Sequence, residues 1–180
     1  VLKIISYTVF KDSQLRYIRL PSSLTSIPDN GFRYCHYLKY ISFENNSNIG
    51  SIGNYAFYDQ NNLLNITIPA SVTNMGLRVF DHCGALTSVA FEDDCQLNYI
   101  RTDWFQNTPV QYILNLPAVI RTIPVRGFYY VRSLRYLSFA KDSQLQTISQ
   151  SAFLDLNSLQ NITIPASVTR IDHLSFHSCG

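Results

Sequence analysis

Apolar residues recur along the chain with a period of about 23 to 25 residues. Each unit carries a Phe, and another apolar residue stands five positions before it. A unit this short cannot bury its own apolar face, so successive units must stack and turn each column into a ladder. The pattern predicts a repeat solenoid of about seven turns in which Phe80 and Phe153 are almost fully buried. The two columns are Phe32, Phe57, Phe80, Phe105, Phe128, Phe153 and Phe176, and Ile27, Ile52, Met75, Ile100, Ile123, Ile148 and Ile171.

Each unit also contains a short alternating segment that predicts a half-buried strand. In LRYIRLP, for example, we expect Ile18 and Leu20 to point inward and Tyr17 and Arg19 to point outward. Every second unit closes this segment with a Pro, which ends the strand because it cannot continue the hydrogen-bonded ladder. The stretch just before each recurring Phe forms the opposite wall, where the pattern allows either short strands or tight helical turns.

Longer blocks are duplicated as well as single units. The string NITIPASVT occurs at 65–73 and again at 161–169, which is 96 residues later. We therefore expect residues 1–180 to form a single repeat array without an internal domain boundary. Regular repeats should occupy 15–180, whereas 1–14 fit the pattern poorly and are expected to form an irregular half-unit.

Both ends of the chain cut through a unit. The only Met is Met75, so we expect the chain to be a fragment of a longer protein. Apolar ladders left uncapped at the ends predict end-to-end self-association or a longer parent array. The stretch Val1–Ile5 is expected to cover one end, whereas Cys179 and Gly180 leave the other open.

Composition narrows the classes of function. Hydrophobic residues make up 46% of the chain and charged residues 14%, which excludes intrinsic disorder. A formal net charge of +2 argues against a dedicated nucleic-acid binder, which would have a larger basic excess. No apolar run approaches the roughly 18 residues that a membrane span needs, so we expect no membrane insertion by this segment.

Written out, the unit reads L-x-x-I-x-I-P-x-S-V-T-x-I-G-x-x-A-F-x-x-C-x-x-L, and residues 63–86 nearly spell it. This pattern resembles the BspA-like, or treponemal-type, leucine-rich repeats. Departures are Gln111, which replaces the opening Leu, and the Gly after Ile, which is kept only as Gly53 and Gly76. The resemblance implies a leucine-rich-repeat superhelix, mainly β, with short strands and tight helical turns. It also implies a cell-surface or secreted protein associated with adhesion to host matrix proteins and to other cells.

The cysteines are interpreted as small buried side chains. Cys35, Cys83 and Cys179 share one core-facing column, and Cys95 lies in a polar turn. Cys35 and Cys83 are two rungs apart, about 10 Å, which exceeds the roughly 7 Å limit between Cα atoms for a disulfide.

Other candidate chemistry is weak. His173 and His177 are four residues apart, but no Glu completes an H-E-x-x-H motif. The equivalent units of the acidic run Glu92, Asp93 and Asp94 keep its polarity and turn propensity but not its acidity from copy to copy, which indicates a solvated turn rather than a calcium site. Phosphate loops and nucleophile elbows are also missing from the sequence. We therefore predict no metal, no cofactor and no enzymatic activity.

Aromatic and basic residues interleave in FRYCHYLKY at 32–40 and in FYYVRSLRY at 128–136. Tyr and Arg are residues that anchor protein interfaces, which favours a binding face. The alternative is that Tyr stabilises cross-strand pairs and Arg keeps the rod soluble. The candidate partner-binding residues are Tyr17, Arg19, Arg33, Tyr34, His36, Tyr37, Lys39, Tyr40, Tyr129, Tyr130, Arg132, Arg135 and Tyr136.

Together with the resemblance, these patches suggest an adhesion or interaction module for an extended protein or glycan partner on a host matrix or cell surface. The alternative is a passive structural spacer that presents another domain. Three glycosylation sequons begin at Asn45, Asn65 and Asn161, and we expect Asn65 and Asn161 to face outward on strands.

Overall fold

The computed structural model describes residues 3, 5, 6 and 9–180. These residues form thirteen short strands: β1 (Tyr17–Leu20), β2 (Ser26–Ile27), β3 (Tyr40–Phe43), β4 (Ser51–Ile52), β5 (Asn65–Ile68), β6 (Asn74–Met75), β7 (Ser88–Phe91), β8 (Tyr112–Leu116), β9 (Thr122–Ile123), β10 (Tyr136–Phe139), β11 (Thr147–Ile148), β12 (Asn161–Ile162) and β13 (Arg170–Ile171).

One strand from each turn of the solenoid contributes to a parallel sheet of seven strands, which we call the main sheet. Its order is β1-β3-β5-β7-β8-β10-β12. Within β1 the predicted alternation is confirmed, since Tyr17 and Arg19 are exposed, Ile18 is half-buried and Leu20 is buried. Alternation arises because successive side chains of a strand point to opposite faces, and only one face meets the core.

The opposite wall, which we call the second wall, consists of two-residue strands followed by hydrogen-bonded turns. These strands form two parallel sheets of three, β2-β4-β6 and β9-β11-β13. Of the two structures that the sequence allowed here, the described residues adopt the strand, and they contain no helix. Within the same residues, nothing has the helical length and hydropathy that a membrane crossing requires.

The second wall is interrupted in the fourth turn because a side chain replaces a strand there. Tyr99 occupies a position that is Ser, Thr, Asn or Arg in the other turns. Its hydroxyl accepts a hydrogen bond from the Met75 N–H at 2.9 Å and lies 2.8 Å from the Met75 carbonyl oxygen, to which it donates. The Tyr99 ring also packs against buried Trp104. Met75 pairs with β4 on one side, and on the side of the fourth turn its backbone groups are satisfied without a neighbouring strand.

The core is built on Phe rings, one per turn, which stack in two runs, from Phe10 to Phe105 and from Phe128 to Phe176. The rings of Phe32, Phe57 and Phe80 stack nearly parallel, with centroids 5.4 and 5.5 Å apart. Phe80 and Phe153 have no exposed surface, which confirms their predicted burial. The stack begins earlier than the sequence pattern indicated, because Phe10 lies 4.9 Å from Phe32 in the same stacked arrangement.

Left-handed backbone recurs at the corner between the second wall and the Phe stack. Tyr55 and Ser151, for example, have φ values of 54° and 55°. Their N–H groups donate to the carbonyl oxygens of Leu77 and His173 on the following turns, at 2.8 and 3.1 Å. The inter-turn hydrogen bonds therefore continue around the corner, which offsets the roughly 1–2 kcal/mol that a non-Gly residue costs in this conformation.

Gly53 and Gly76 are required by the close approach of neighbouring turns. The Asn54 N–H donates to Asp29 Oδ1 at 2.7 Å, and the Leu77 N–H donates to Asn54 Oδ1 at the same distance. A Cβ on Gly53 would lie 2.4 Å from the Asp29 nitrogen, and one on Gly76 would lie 2.5 Å from the Asn54 nitrogen. Only Gly leaves room for these side-chain-to-backbone bonds.

The two ends of the array differ in how well their apolar residues are buried. Of the N-terminal stretch expected to cover one end, Val1, Leu2 and Ile4 lie outside the described residues, and Ile5 is buried. At the other end, Phe176 is half-buried and Ile171 is 51% exposed.

Replacing a ring in the middle of the stack should strongly destabilise the fold. Phe153→Ala should lower the free energy of unfolding by about 3–5 kcal/mol, because it removes a fully buried ring and leaves a cavity. Phe176→Ala, in the same column on the last turn, should cost less because its ring is half-buried. Denaturant unfolding measures the stability of both variants. If Phe153→Ala lowers the free energy of unfolding by less than about 1 kcal/mol, the stacking register is contradicted.

Gly53→Ala should destabilise the array by about 1–3 kcal/mol, because the added methyl group overlaps the Asp29 backbone. Gly50→Ala is the matched control, since the nearest atom to its added Cβ is the Thr25 carbonyl oxygen at 4.0 Å. Thermal unfolding should separate the two variants, whereas equal melting temperatures would show that the Asp29 contact does not constrain position 53.

Candidate interaction surface

Exposed tyrosines stand in register on the outer face of the main sheet. The first residues of successive strands are aligned as Tyr17, Tyr40, Asn65, Ser88, Tyr112, Tyr136 and Asn161. The face therefore carries a first pair, Tyr17 and Tyr40, and a second pair, Tyr112 and Tyr136, separated by two small polar residues. All four rings are between 41% and 56% exposed. The parallel register places these side chains in one row, since each turn repeats the backbone path of the last.

A shallow groove lies beside each tyrosine pair. The first has a volume of about 570 Å³ and is lined by Tyr17, Tyr40, Ser42, Asn65, Thr67 and Glu92, among others. The second has a volume of about 300 Å³ and is lined by Tyr136, Ser138, Lys141 and Thr163, among others. Five lining positions correspond after a shift of 96 residues, and four are identical, because Tyr40, Ser42, Phe43 and Thr67 become Tyr136, Ser138, Phe139 and Thr163. The grooves are thus partial duplicates.

The Tyr17 ring is held in place across two strands. Its hydroxyl lies 3.0 Å from the Ser42 hydroxyl of the neighbouring strand, within hydrogen-bond distance. This bond fixes the orientation of an exposed ring at the wall of the first groove. A ring that is already oriented loses less conformational freedom when a ligand contacts it.

Charge is distributed unevenly across the main sheet. At the edge where strands begin, Arg16, Lys39 and Arg135 are exposed, and Arg19 is exposed within β1. At the edge where strands end, the turns carry mainly acidic residues, which are Glu44, Glu92, Asp93, Asp94 and Asp142. Among the described residues, the four ion pairs involve Arg78, His82, Arg101 and Arg170, and none involves a cation of the main sheet.

Three of the acidic side chains accept structural hydrogen bonds that the sequence analysis missed, one of them from the Asn115 side-chain amide to Asp93 Oδ1 at 3.0 Å. The carboxylate of Glu92 accepts a hydrogen bond from the Ala70 N–H at 2.9 Å, and that of Glu44 accepts one from the Ser22 N–H at 3.0 Å. The bond from Ser22 lowers the pKa of the Glu44 carboxyl below its ordinary value. Asp93 and Asp94 are exposed, as a solvated turn requires.

The turn portion of the first candidate patch is largely paired with itself. Arg33, Tyr34 and His36 are half-buried. The Arg33 guanidinium lies 4.7 Å from the Tyr34 ring centroid and 4.8 Å from that of Tyr58, and it donates to Asn30 Oδ1 at 3.0 Å. The aromatic cage is therefore already filled by a side chain of the protein itself.

The turn portion of the second patch is built differently. Tyr129 stands at the position of Arg33, so no arginine fills a cage there. The Tyr129 and Tyr130 rings meet edge to face with centroids 5.1 Å apart, and Arg126 lies 5.6 Å from the Tyr129 ring. Of the remaining candidates, Tyr37, Tyr130 and Arg132 are exposed on the turns, and Arg132 lies at the position of His36.

The structure thus separates the candidate residues into two groups. Tyr17, Arg19, Lys39, Tyr40, Arg135 and Tyr136 lie on or beside the outer face of the main sheet, whereas the others lie on turns. Sequence reasoning missed Tyr112 and Arg16, which belong with the first group. The signal for Tyr112 was its position as first residue of a strand. The expectation that Gln111 replaces the opening Leu is wrong, because the register aligns Gln111 with Arg135 and the buried Val110 with Leu134.

The sequon asparagines are all exposed. Asn65 and Asn161 begin β5 and β12, as expected for outward-facing positions, and Asn45 lies in the turn after β3. Asn65 also lines the first groove, so a glycan attached there would occupy that groove.

The cysteine column supplies hydrogen-bond donors to the core, which the sequence analysis did not anticipate. The thiols of Cys35, Cys83 and Cys179 lie 2.9, 2.9 and 3.1 Å from the carbonyl oxygen of the stacked Phe one turn earlier. Gln60 stands in the same column, is buried, and its side-chain amide donates to the Phe32 carbonyl. Cys95 is buried although its neighbours are polar. Burial raises the pKa of the Cys35 thiol to about 12 and also raises the pKa of Cys83 and Cys95.

The part of the chain that the structure describes contains no candidate metal site. No three His, Cys, Asp or Glu side chains there are close enough together to hold an ion.

Sequence comparison identifies the repeat. A family model described as "BspA type Leucine rich repeat region" matches the chain in six copies, over residues 3–135 and 50–180. No curated protein sequence matches the chain.

Several solved structures share the fold. A leucine-rich repeat protein from Eubacterium ventriosum is 24% identical, with a TM-score of 0.70 over 92% of this chain and 43% of that one. The pneumococcal vaccine antigen PcpA is 19% identical, with a TM-score of 0.56 over 98% of this chain and 59% of that one. The leucine-rich repeat protein of T. pallidum is 21% identical, with a TM-score of 0.55 over 85% and 69%. The chain thus spans about half the length of the first two structures.

The buried thiols should be protected from alkylation in the folded protein. The thiolate is the reactive form, and burial raises the pKa of Cys35, Cys83 and Cys95, so little thiolate exists near neutral pH. We expect their labelling by iodoacetamide to be at least about a hundredfold slower than in denaturant.

Cys179 provides an internal comparison because it is half-buried on the last turn, and it should react first. Mass spectrometry of labelled peptides measures each site separately. Rapid labelling of Cys83 in the native protein would contradict its placement in the core.

Proposed function

The chain belongs to the family of BspA-type leucine-rich repeat proteins, and on that premise we propose that it is a non-catalytic interaction module that binds an extended partner at a cell surface. The observation that carries this proposal is the row of exposed tyrosines on the main sheet, with unpaired cations beside it. Large exposed aromatic side chains on a rigid sheet supply contact area at little cost in conformational entropy.

The two tyrosine pairs favour a partner that is long rather than small. Tyr40 and Tyr136 are four strands apart in the sheet, which at about 4.8 Å per strand is roughly 19 Å. Once one pair is occupied by a long chain, binding at the other becomes intramolecular, so two weak contacts add to a useful affinity. The open grooves also suit a chain that passes along the face rather than an enclosed metabolite.

An interaction module of this kind has to be accessible to its partner outside the cell. Proteins with the repeat that this sequence resembles are associated with cell surfaces, and one structure of the same fold is described as a vaccine antigen. We propose that this array is likewise displayed at a cell surface or secreted, with its main sheet accessible to partners. A passive spacer is the alternative, and in it the tyrosines would contribute only to cross-strand packing.

Substituting the tyrosines distinguishes the interaction module from the passive spacer. Tyr17→Ser with Tyr40→Ser should weaken binding to immobilised extracellular-matrix material by about tenfold, because exposed aromatic anchors carry much of an interface's affinity. Adding Tyr112→Ser and Tyr136→Ser should reduce binding to background. Surface plasmon resonance measures the affinities, and circular dichroism verifies that the fold persists.

The matched control is Val125→Ser with Leu174→Ser, which removes apolar side chains that are 54% and 40% exposed away from the main sheet. This control should bind as the parent does. If the variant with all four tyrosines replaced also binds like the parent, the tyrosines are ordinary surface and the spacer function is favoured.

A further inference from the structure

Resting on this proposed function, we infer that the partner is an anionic polysaccharide, bound along the edge of the main sheet where strands begin. Arg16, Arg19, Lys39 and Arg135 would contact its carboxylate or sulfate groups. The exposed tyrosines beside them would carry its sugar rings.

The edge of the main sheet where strands begin carries positive charge that is open to a ligand. All four cations are exposed, and none forms an ion pair among the described residues, although Arg19, which lies within β1, is close enough to the Glu44 carboxylate to interact with it electrostatically. Elsewhere among the described residues, Arg78, Arg101 and Arg170 each have an acidic partner, whereas Arg121, Arg126 and Arg132 form no ion pair, so what distinguishes the sheet-edge cations is their place beside the exposed tyrosines. The sheet-edge cations are thus available to an anionic ligand, and Arg offers a planar fork that matches carboxylate and sulfate.

The opposite edge of the main sheet, where strands end, is acidic and restricts how an anionic chain can lie. Glu92, Asp93 and Asp94 follow β7, and Glu44 follows β3, so an anionic chain is repelled from the side where strands end. A polyanion would therefore lie along the rod axis at the basic edge rather than across the strands. Glu44 and Glu92 remain engaged with the backbone of Ser22 and Ala70, which keeps these carboxylates in place.

The two grooves contain side chains that suit the rings of a sugar polymer. Sugar rings present apolar C–H faces and a rim of hydroxyl groups, and Tyr combines a flat apolar ring with a polar tip. In the first groove Tyr40 is accompanied by Ser42, Asn65 and Thr67, which can each exchange hydrogen bonds with hydroxyls. Glu92 lines the acidic side of the same groove, so a sugar ring there would turn its hydroxyls rather than its acidic group toward Glu92. In the second groove Tyr136 is accompanied by Ser138 and Thr163 in the same arrangement, with Lys141 added.

The same grooves fit a protein partner less well. The centre of a protein–protein interface is apolar and poor in Ser, and its anchors fill closed pockets. Here the grooves are open rather than closed, and Ser42, Thr67, Ser138 and Thr163 place hydroxyl groups among their apolar lining residues. Duplicated sites at a fixed separation also match a ligand that is itself chemically repetitive.

The test is direct binding of the whole chain to heparin, hyaluronan, dextran and poly-glutamate of matched length, measured by titration calorimetry at low and high salt. We expect binding to heparin, hyaluronan or both, weakening as salt screens the charges, and no binding to dextran. Heparin alone identifies sulfate as the recognised group, and hyaluronan alone identifies carboxylate. Poly-glutamate binding as tight as the polysaccharides would overturn the inference in favour of an acidic protein.

Variants localise the site. Arg19→Ser, Lys39→Ser and Arg135→Ser together should weaken polysaccharide binding by about tenfold, as expected for three exposed charge contacts. The control removes three charges from the other side of the rod, with Arg121→Ser, Arg126→Ser and Arg170→Ser, and should leave affinity unchanged. The charge-preserving change of Arg19 and Arg135 to Lys should retain most of the binding.

Equal losses in the sheet-edge and control variants would overturn the inference, because binding would then depend only on net charge. Absence of binding to both polysaccharides would overturn it as well. If the tyrosine variants still lose affinity for matrix protein in that case, the proposed function stands and only the ligand class is wrong.

Discussion

Stacking of each turn on the next is the interaction on which the rest of this structure depends. A unit of about two dozen residues has no interior of its own, so its Phe and its aliphatic partner become buried only between neighbouring turns. The Phe32 and Phe57 centroids lie 5.4 Å apart, close to the spacing of roughly 4.8 Å between adjacent strands. Ring stacking and backbone pairing therefore support the same repeat distance. The thiols and the Gln60 amide reinforce it by donating to the carbonyl groups of the stacked residues.

The same constraint explains why the outer face is free to carry function. Every turn must keep its inward residues, but the first residue of each strand points away from the core. That row reads Tyr, Tyr, Asn, Ser, Tyr, Tyr and Asn along the rod. Duplication of a block of turns then copies a surface site together with the core that supports it, which accounts for the correspondence between Tyr40 and Tyr136 and between the two grooves.

Periodicity predicted the features that depend on burial within a single turn. The alternation of β1, the burial of Phe80 and the outward position of Asn65 all follow from whether a residue faces the core. Contacts between turns were not predictable in the same way. Arg33 cannot be distinguished in sequence from a solvated Arg, because its cage is formed by Tyr58 on the next turn. Tyr99 interrupts the second wall through its hydroxyl, and only the register with Met75 reveals this.

The central claim is that the outer face of the main sheet receives an extended ligand, and its most direct test is chemical-shift mapping by NMR. Isotope-labelled protein would be titrated with a heparin oligosaccharide and shifts followed residue by residue. The account predicts saturable changes at Tyr17, Lys39, Tyr40, Arg135 and Tyr136, with the second-wall strands unaffected. Changes centred on the second wall would contradict it, whereas no change with heparin would exclude only that ligand and call for the same titration with hyaluronan and with matrix protein.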